Sequence, residues 1–586
     1  MVSQKQNIAI YCLFFLIGCT AQQDAVQTEP LPNIVLILSD DQGCGDAGFT
    51  GNDRLRTPNL DQLAAEGMTF SNFQVAPVCA PTRAGLLTGR HHLRTGVRGV
   101  IEGREFMVGE EVTVAEMLQD AGYQTALFGK WHLGEHYPWL PHGQGFDEYI
   151  GFRQGSSDYF DIVLDNKGEP YPTSGYLTDV LTDLAIDFID RKKDDPFFLY
   201  LPYNAPHGPL QVPDAYVEPY ADLPDRTAKV YGMMASLDEQ VGRLLRHLDS
   251  SGLSENTLIF YFSDNGPLYG NRNAPDERFN CGLRGQKYDV YQGGVQVPLL
   301  TKWQGRISAG QSSERLISHL DLLPTILDAA GLSVPDSIRI DGRSLLPLLE
   351  SPESDWADRT LFMTYPGEQV KNKEDAPYPG GMAVTERFKM VDGAALYDIV
   401  NDPAESENIA DEYPDVFHTL DSSYQAFWGE ATSGRAPYPR PQVGHPEENP
   451  VRFLSHFADL EGDLRFQFGE DPPRFRTLGV HHDWVGKWDT VEGKVKWHLR
   501  FVEPGNYQFS LRLRCNPSDA GAEIQIAVGD STLNGQLNQC GGSWVEQSVG
   551  SLFIPAGDQD VEVQALTMPG SAVMDLDQLI IEFKYI

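Results

Sequence analysis

Four short tails of ionisable residues carry most of the chemistry available to this 586-residue chain. They are Asp40-Asp41-Gln42-Gly43, Lys130-Trp131-His132, Asn204-Ala205-Pro206-His207 and Asp264-Asn265-Gly266. Asp40, Asp41, Asp264 and Asn265 offer only oxygen donors. Such a set selects Ca²⁺, and less readily Mg²⁺, over Zn²⁺. A fifth segment, Cys79-Ala80-Pro81-Thr82-Arg83, sets a thiol just ahead of a Pro suited to the first turn of a helix. Cys79 is therefore expected at a helix N-terminus, where free N–H groups and the dipole favour an anion. Arg83, one turn on, reaches back to the same point. The plainer alternative for Cys79 is a small buried thiol.

Each tail needs an element to hold it, and each follows an apolar run of strand length. The runs are 33–38, 123–128, 196–201 and 257–262. Nearly continuous in apolar residues, they read as strands buried on both faces of a sheet. The third is followed by Asn204 and His207. Helical stretches alternate with these runs. One starts at Thr57-Pro58 and stops at Gly67; others lie near 110–120, 178–192 and 226–250. The fold class is α/β. Ligands in such sheets gather beyond the carboxyl ends of the strands, so four polar tails predict one convergent site.

These residues resemble the signature of the formylglycine-dependent sulfatases. C-x-P-x-R at Cys79–Arg83, followed by Leu87-Thr88-Gly89-Arg90, is similar to the segment whose Cys is oxidised after translation to formylglycine. Asp40-Asp41, Gly129-Lys130-Trp131-His132, Ala205-Pro206-His207 and Ser263-Asp264-Asn265-Gly266 resemble the family's metal and active-site motifs. Arg284-Gly285-Gln286-Lys287 resembles the segment with a sulfate-binding Lys. The likeness covers roughly residues 31–410. It implies an alkaline-phosphatase-like α/β/α sandwich with a smaller α+β subdomain. It also implies Ca²⁺ held by Asp40, Asp41, Asp264, Asn265 and the modified Cys79. Arg83, Lys130 and Lys287 would hold charge on the nucleophile and the sulfate. His207 would be the acid for the leaving alcohol and His132 the base that releases sulfate. With a divalent ion, three Asp and three cations, the pocket nets +2. One departure stands out: where the family reads E-G-G-x-R-V-P, this chain has Gln292-Gly293-Gly294-Val295-Gln296-Val297-Pro298, and a charge pair is missing. His91, His92, Arg98, Trp131, Asp158 and Arg284 are candidates for lining a sugar pocket.

The rest of the chain sets limits. A net charge of −38 argues against nucleic-acid binding and requires a local cation cluster for any anionic substrate. Residues 1–18 read as a lipoprotein-type signal peptide with Cys12 in its apolar run. Leu16-Ile17-Gly18-Cys19 resembles a lipobox that would lipidate Cys19, and 19–30 is a tether. An exported periplasmic or cell-surface lipoprotein is expected, with membrane contact only through that anchor; an ordinary cleaved signal peptide leading to secretion is the alternative. Its partners would be a sulfated carbohydrate and a formylglycine-generating enzyme. The catalytic domain is placed at 31–350, its α+β subdomain at 351–435 and a Pro-rich linker at 436–450. Strict alternation in 495–501 and 507–513 predicts a β-sandwich over 451–586. There Cys515 and Cys540 can pair, and Trp484, Trp488 and Trp497 are candidates for stacking on sugar. Cys44 and Cys281 form a second possible pair, leaving Cys79 unpaired. Two other functions stay open: the resemblance also admits a phosphodiester or phosphonate monoester hydrolase on the same fold, and the remaining alternative is a non-catalytic carbohydrate-binding surface protein.

Overall fold

The computed structural model describes residues 30–101, 103–268, 278–366, 376–433, 439–468 and 483–585. The expected signal peptide, Cys12, Cys19 and the tether up to residue 29 lie outside the described residues. Among the described residues no helix is long and apolar enough to cross a membrane.

The four apolar runs are neighbouring parallel strands at the centre of an 11-stranded sheet. Across it lie Gln124–Lys130, Phe197–Pro202, Asn33–Ser39 and Thr257–Ser263. Alternate side chains of Asn33–Ser39 leave for opposite faces. Ile34, Leu36 and Leu38 join one core, which packs Cys79–Thr88, Val114–Asp120 and Leu322–Ala329. Val35 and Ile37 join the other, under Pro58–Glu66, Leu177–Lys192 and Asp225–Ser250. The layers are α/β/α, and the double-sided burial explains the continuous apolar runs. The carboxyl ends of all four strands open on one edge, so the tails that follow them are neighbours.

A four-stranded antiparallel sheet follows, made of Leu361–Thr364, Gly381–Val384, Phe388–Val391 and Ala395–Asp398. One face packs under the helix Pro414–Thr432 through Leu420 and Tyr424. The other packs Met363, Met382 and Val391 on Ala76, Val290 and Val295 of the catalytic core.

The C-terminal region is two facing six-stranded sheets around a single apolar core. Inward and outward residues alternate along Lys494–Phe501 and Gly505–Arg514. Cys515 and Cys540 are joined in a disulfide. The segment before it is not a loose spacer. Gln442–Val443 pairs with Lys494–Phe501, and Glu448 is buried against the catalytic domain.

Candidate active site

Cys79 is the first residue of a ten-residue helix buried along its whole length, and its thiol is unpaired and only 2 % exposed. Val78, in extended conformation, delivers the chain into that helix. The side-chain ligand atoms of Cys79, Asp40 and Asp264 lie within 4.8 Å of one another, as do those of Asp40, Asp41 and His207.

Each aspartate is matched to one cation. Lys130 Nζ is 2.6 Å from Asp40 Oδ2, Lys287 Nζ is 2.7 Å from Asp41 Oδ1, and Arg83 Nη2 is 2.8 Å from Asp264 Oδ2. Arg83 also donates from Nη1 to the carbonyl of Lys130 (3.1 Å), which ties the helix to the second tail. Burial works on all of these groups. It pushes the Cys79 thiol up, against the opposing pull of Lys130 and Lys287. Burial and the neighbouring Asp40 charge raise Asp264 to about 6, with Arg83 opposing. Burial would raise Asp41 as well, yet Lys287 and His207 hold it well below the carboxylate range.

Three buried oxygens, Asp40 Oδ1, Asp41 Oδ2 and Asn265 Oδ1, have no hydrogen-bond partner among the described residues. Orphaned oxygens at this depth are costly unless something satisfies them. All are hard donors, and with Asp264 they fit a Ca²⁺ or Mg²⁺ ion.

The histidines are held in defined tautomers. His132 Nε2 lies 2.9 Å from the Val100 carbonyl, which only accepts, so Nε2 carries the proton and Nδ1 the lone pair. Its Nδ1 has no partner among the described residues. His207 Nδ1 is 2.7 Å from the Gly208 carbonyl, which leaves Nε2 facing Asp41 Oδ2 at 3.7 Å. Burial and Lys287 lower His207 to about 3, and burial with Lys130 holds His132 well below the usual imidazole value. Both rings are neutral at neutral pH. Asp41 (φ +65°) and His132 (φ +63°) adopt left-handed backbone, a conformation sparse for such residues and retained only where the surroundings enforce it.

Other residues anticipated from sequence have different places. Trp131 is buried, donates from Nε1 to the Trp139 carbonyl and packs edge-on to Phe146, so it belongs to the core. His91 lines a separate cavity of about 410 Å³ with Arg94, Asp341 and Phe427. His92 stacks on His91 and bonds the Val97 carbonyl. Arg284 lies over the Tyr291 ring and donates to the Glu405 carbonyl, joining the catalytic domain to the subdomain. Of these four, only the fully buried Trp131 is corrected from a sugar contact to a core residue; His91 and, stacked on it, His92 lie at that separate cavity, and Arg284 is exposed at the seam between the catalytic domain and the subdomain. Asp158 remains beside the site. Its Oδ1 accepts from Gln211, its Oδ2 has no described partner, and its loop meets the His132 ring at Gly155 and the His207 carbonyl at Tyr159. The neighbouring Tyr159 hydroxyl is 2.6 and 2.7 Å from the carbonyls of Asn204 and His207. Arg98 is half-buried, its N–H bonded to the Arg104 carbonyl. In the sandwich, Trp488 and Trp497 are core residues. Trp484 packs edge-on to Trp544, and Arg514 lies over both rings.

At the departure noted above, Gln292 Nε2 donates to Gln296 Oε1 (2.8 Å), an amide pair where the family pattern has a charge pair. Buried charge is supplied from elsewhere: Lys389 is 3.0 Å from both Glu405 and Gln292 Oε1.

Two supports escaped the sequence reading. Arg278 holds the first metal loop, donating to the Asp41 carbonyl (3.0 Å) and pairing with Asp46, which accepts from Gly43 N–H. The disulfide Cys44–Cys281 fastens the same loop to the segment that leads to Lys287.

The sequence profile of the sulfatase family matches residues 32–332, over half of the chain. The chain belongs to the sulfatase family. It is a sulfuric ester hydrolase with the alkaline-phosphatase-like fold. A second profile, of the C-terminal part of N-sulphoglucosamine sulphohydrolase, matches residues 285–426 of this sulfatase. Mouse (Mus musculus) N-acetylgalactosamine-6-sulfatase is 36 % identical over 373 residues, 56 % of this chain and 68 % of its own. The uncharacterised sulfatase YdeN of Escherichia coli is 32 % identical, covering 60 % and 72 %. Among solved structures, Ps i-CgsB in complex with k-i-k-neocarrahexaose superposes with a TM-score of 0.63 at 29 % identity. That match covers 69 % of this chain and 94 % of the other. The PsFucS1 sulfatase from Pseudoalteromonas gives a TM-score of 0.59 at 26 % identity, covering 69 % and 91 %.

Proposed function

We propose that this protein is an exported sulfatase that removes sulfate from a carbohydrate, with Cys79 converted to formylglycine and Ca²⁺ as its metal. The observation that carries the reading is the trio of orphaned oxygens, on Asp40, Asp41 and Asn265, gathered beside a thiol at a helix N-terminus. The relatives support a sugar substrate: one is named for N-acetylgalactosamine-6-sulfate chemistry, another was solved with a neocarrahexaose. Two disulfides, Cys44–Cys281 and Cys515–Cys540, suit an oxidising compartment and so support export. The lipobox at Cys19 makes a lipid anchor the favoured form of it.

Asp40, Asp41, Asp264 and Asn265 would hold the metal, with position 79 alongside. When bound, the ion would draw charge from a sulfate oxygen while the oxidised side chain at 79 supplied the attacking hydroxyl. The protein's own residues do the rest. Lys130 and Lys287 grip sulfate oxygens and take up charge as the S–O bond breaks. Arg83 fixes Asp264 and the Lys130 carbonyl, so the second tail keeps its place. His207 gains a proton at Nε2 in the company of the anionic ester and passes it to the leaving alcohol oxygen. His132 accepts, at Nδ1, the proton whose loss frees sulfate.

Two measurements on material from the native host test this. Mass spectrometry of the peptide containing position 79 is expected to find an aldehyde in place of the thiol. A screen of defined sulfated oligosaccharides, read by released sulfate, is expected to find a substrate. A fully active enzyme with an unmodified thiol would overturn the nucleophile.

A further inference from the structure

The segment entering the sandwich grips the loop that carries His132. Glu448 lies three residues before the strand Val451–Leu454 and is 8 % exposed. Its Oε1 is 2.6 Å from Arg153 Nη1, and its Oε2 accepts from the Tyr137 N–H (2.8 Å). Tyr137 stands on the excursion that leaves the sheet at Lys130, and Arg153 directly follows the strand Glu148–Phe152 through which the chain returns. From there Arg153 ties the excursion down. Its Nη1 also donates to the Glu135 carbonyl (2.7 Å), its Nε bonds Asp165 (2.6 Å), and its own carbonyl accepts the His132 N–H (3.0 Å).

The sandwich seats itself beside this excursion. The Phe453 ring is 4.6 Å from that of His136, and the Phe457 ring is 5.7 Å from that of Phe106. The residue after Phe106, Met107, donates its N–H to the carbonyl of Leu133, next to His132. His132 needs such support, because its left-handed backbone would relax if the loop were free.

We propose that Glu448 is a positioning residue for His132, and that through it the C-terminal sandwich clamps the catalytic loop. The kinetic part rests on reading His132 as the base that frees sulfate. Asp165 still holds Arg153 when Glu448 is removed, so the loss is local.

The test uses the full-length modified enzyme and four variants: E448A, E448Q, H132A and E448A/H132A. His132 acts after the ester bond has broken. E448A should therefore lower kcat about tenfold and KM in parallel, with kcat/KM changed less than about twofold. E448Q keeps the Tyr137 contact and should fall between E448A and the native enzyme. E448A/H132A should be no slower than H132A, since both act through one ring. Independently of turnover, amide exchange should quicken across residues 131–137 in E448A. Native kcat with unchanged exchange in both Glu448 variants would overturn the proposal. So would a loss that E448A adds in full on top of H132A. A native kcat in H132A would instead sink the reading of His132.

Discussion

Lys130 Nζ lies 2.6 Å from Asp40 Oδ2, and the other oxygen of that carboxylate has no hydrogen bond among the described residues. Asp41 repeats the arrangement, with Lys287 on Oδ1 and no hydrogen bond to Oδ2 from the described residues. Each carboxylate thus serves a cation with one oxygen and keeps the second for a metal. An ion can enter without breaking either pair. The protein groups balance at three charges against three, so a divalent ion turns the pocket into an anion trap.

Metal removal should therefore abolish activity and lower thermal stability together, because binding to the folded state alone stabilises it. Exhaustive chelation checked by elemental analysis, followed by Ca²⁺ add-back, measures both. Full activity in metal-free protein would defeat the assignment.

Cys79→Ala should remove turnover yet leave the melting temperature within a few degrees, since Ala fits a small buried site at a helix start. Sulfate release and circular dichroism check it. Near-native rates would refute the nucleophile.

Lys287→Ala should cost about 10²–10³ in kcat/KM, the usual loss when a charge-stabilising donor is removed. It also strips Asp41 of its counter-charge, so metal affinity should change with it. Steady-state kinetics beside Ca²⁺ titration separates the two effects.

Gly155→Ala should cut activity while the fold persists. A methyl there would sit 2.6 Å from Cε1 of the His132 ring, which the Val100 carbonyl holds in place. The ring has to tilt. A variant with native kcat would show that the orientation of His132 is unimportant.

Glu448 gives a pH signature. Burial pushes its carboxyl up, but Arg153 and His136 outweigh burial and bring it from 4.5 to about 2. A depressed folded-state pKa stabilises above the unfolded value, and that stabilisation fades as pH falls from about 4.5 to about 2. The full difference is on the order of 3 kcal/mol. Urea denaturation of native protein and E448Q should show a stability gap at neutral pH that closes through this window. A gap independent of pH would contradict the ion pair.

The catalytic core was legible because its strands are buried on both faces. Asn33–Ser39 and Thr257–Ser263 are continuous apolar runs that end abruptly in Asp40 and Asp264, so element and site share one boundary. Pro81 marked the helix that presents Cys79. Trp131 misled because it lies between two candidate site residues, yet it faces the core in company with Phe146. The strand Gly381–Val384 was missed because four small or apolar residues give no period to read. Arg278 with Asp46 and Glu448 with Arg153 were invisible for another reason. Partners 232 and 295 residues apart leave no local pattern, and only the closed sheet brings them together.

The depth of position 79 fixes an order of events in the life of the chain. All ten residues of its helix are enclosed, and the thiol is shut in by groups contributed from residues 40 to 287. On the proposed formylglycine route, the enzyme that oxidises Cys79 has to reach a thiol that is only 2 % exposed once the chain has folded. Oxidation would then come first and closure of the catalytic domain second. A molecule that folded too early would keep its thiol and stay inert, and the yield of active enzyme would become a race between two clocks.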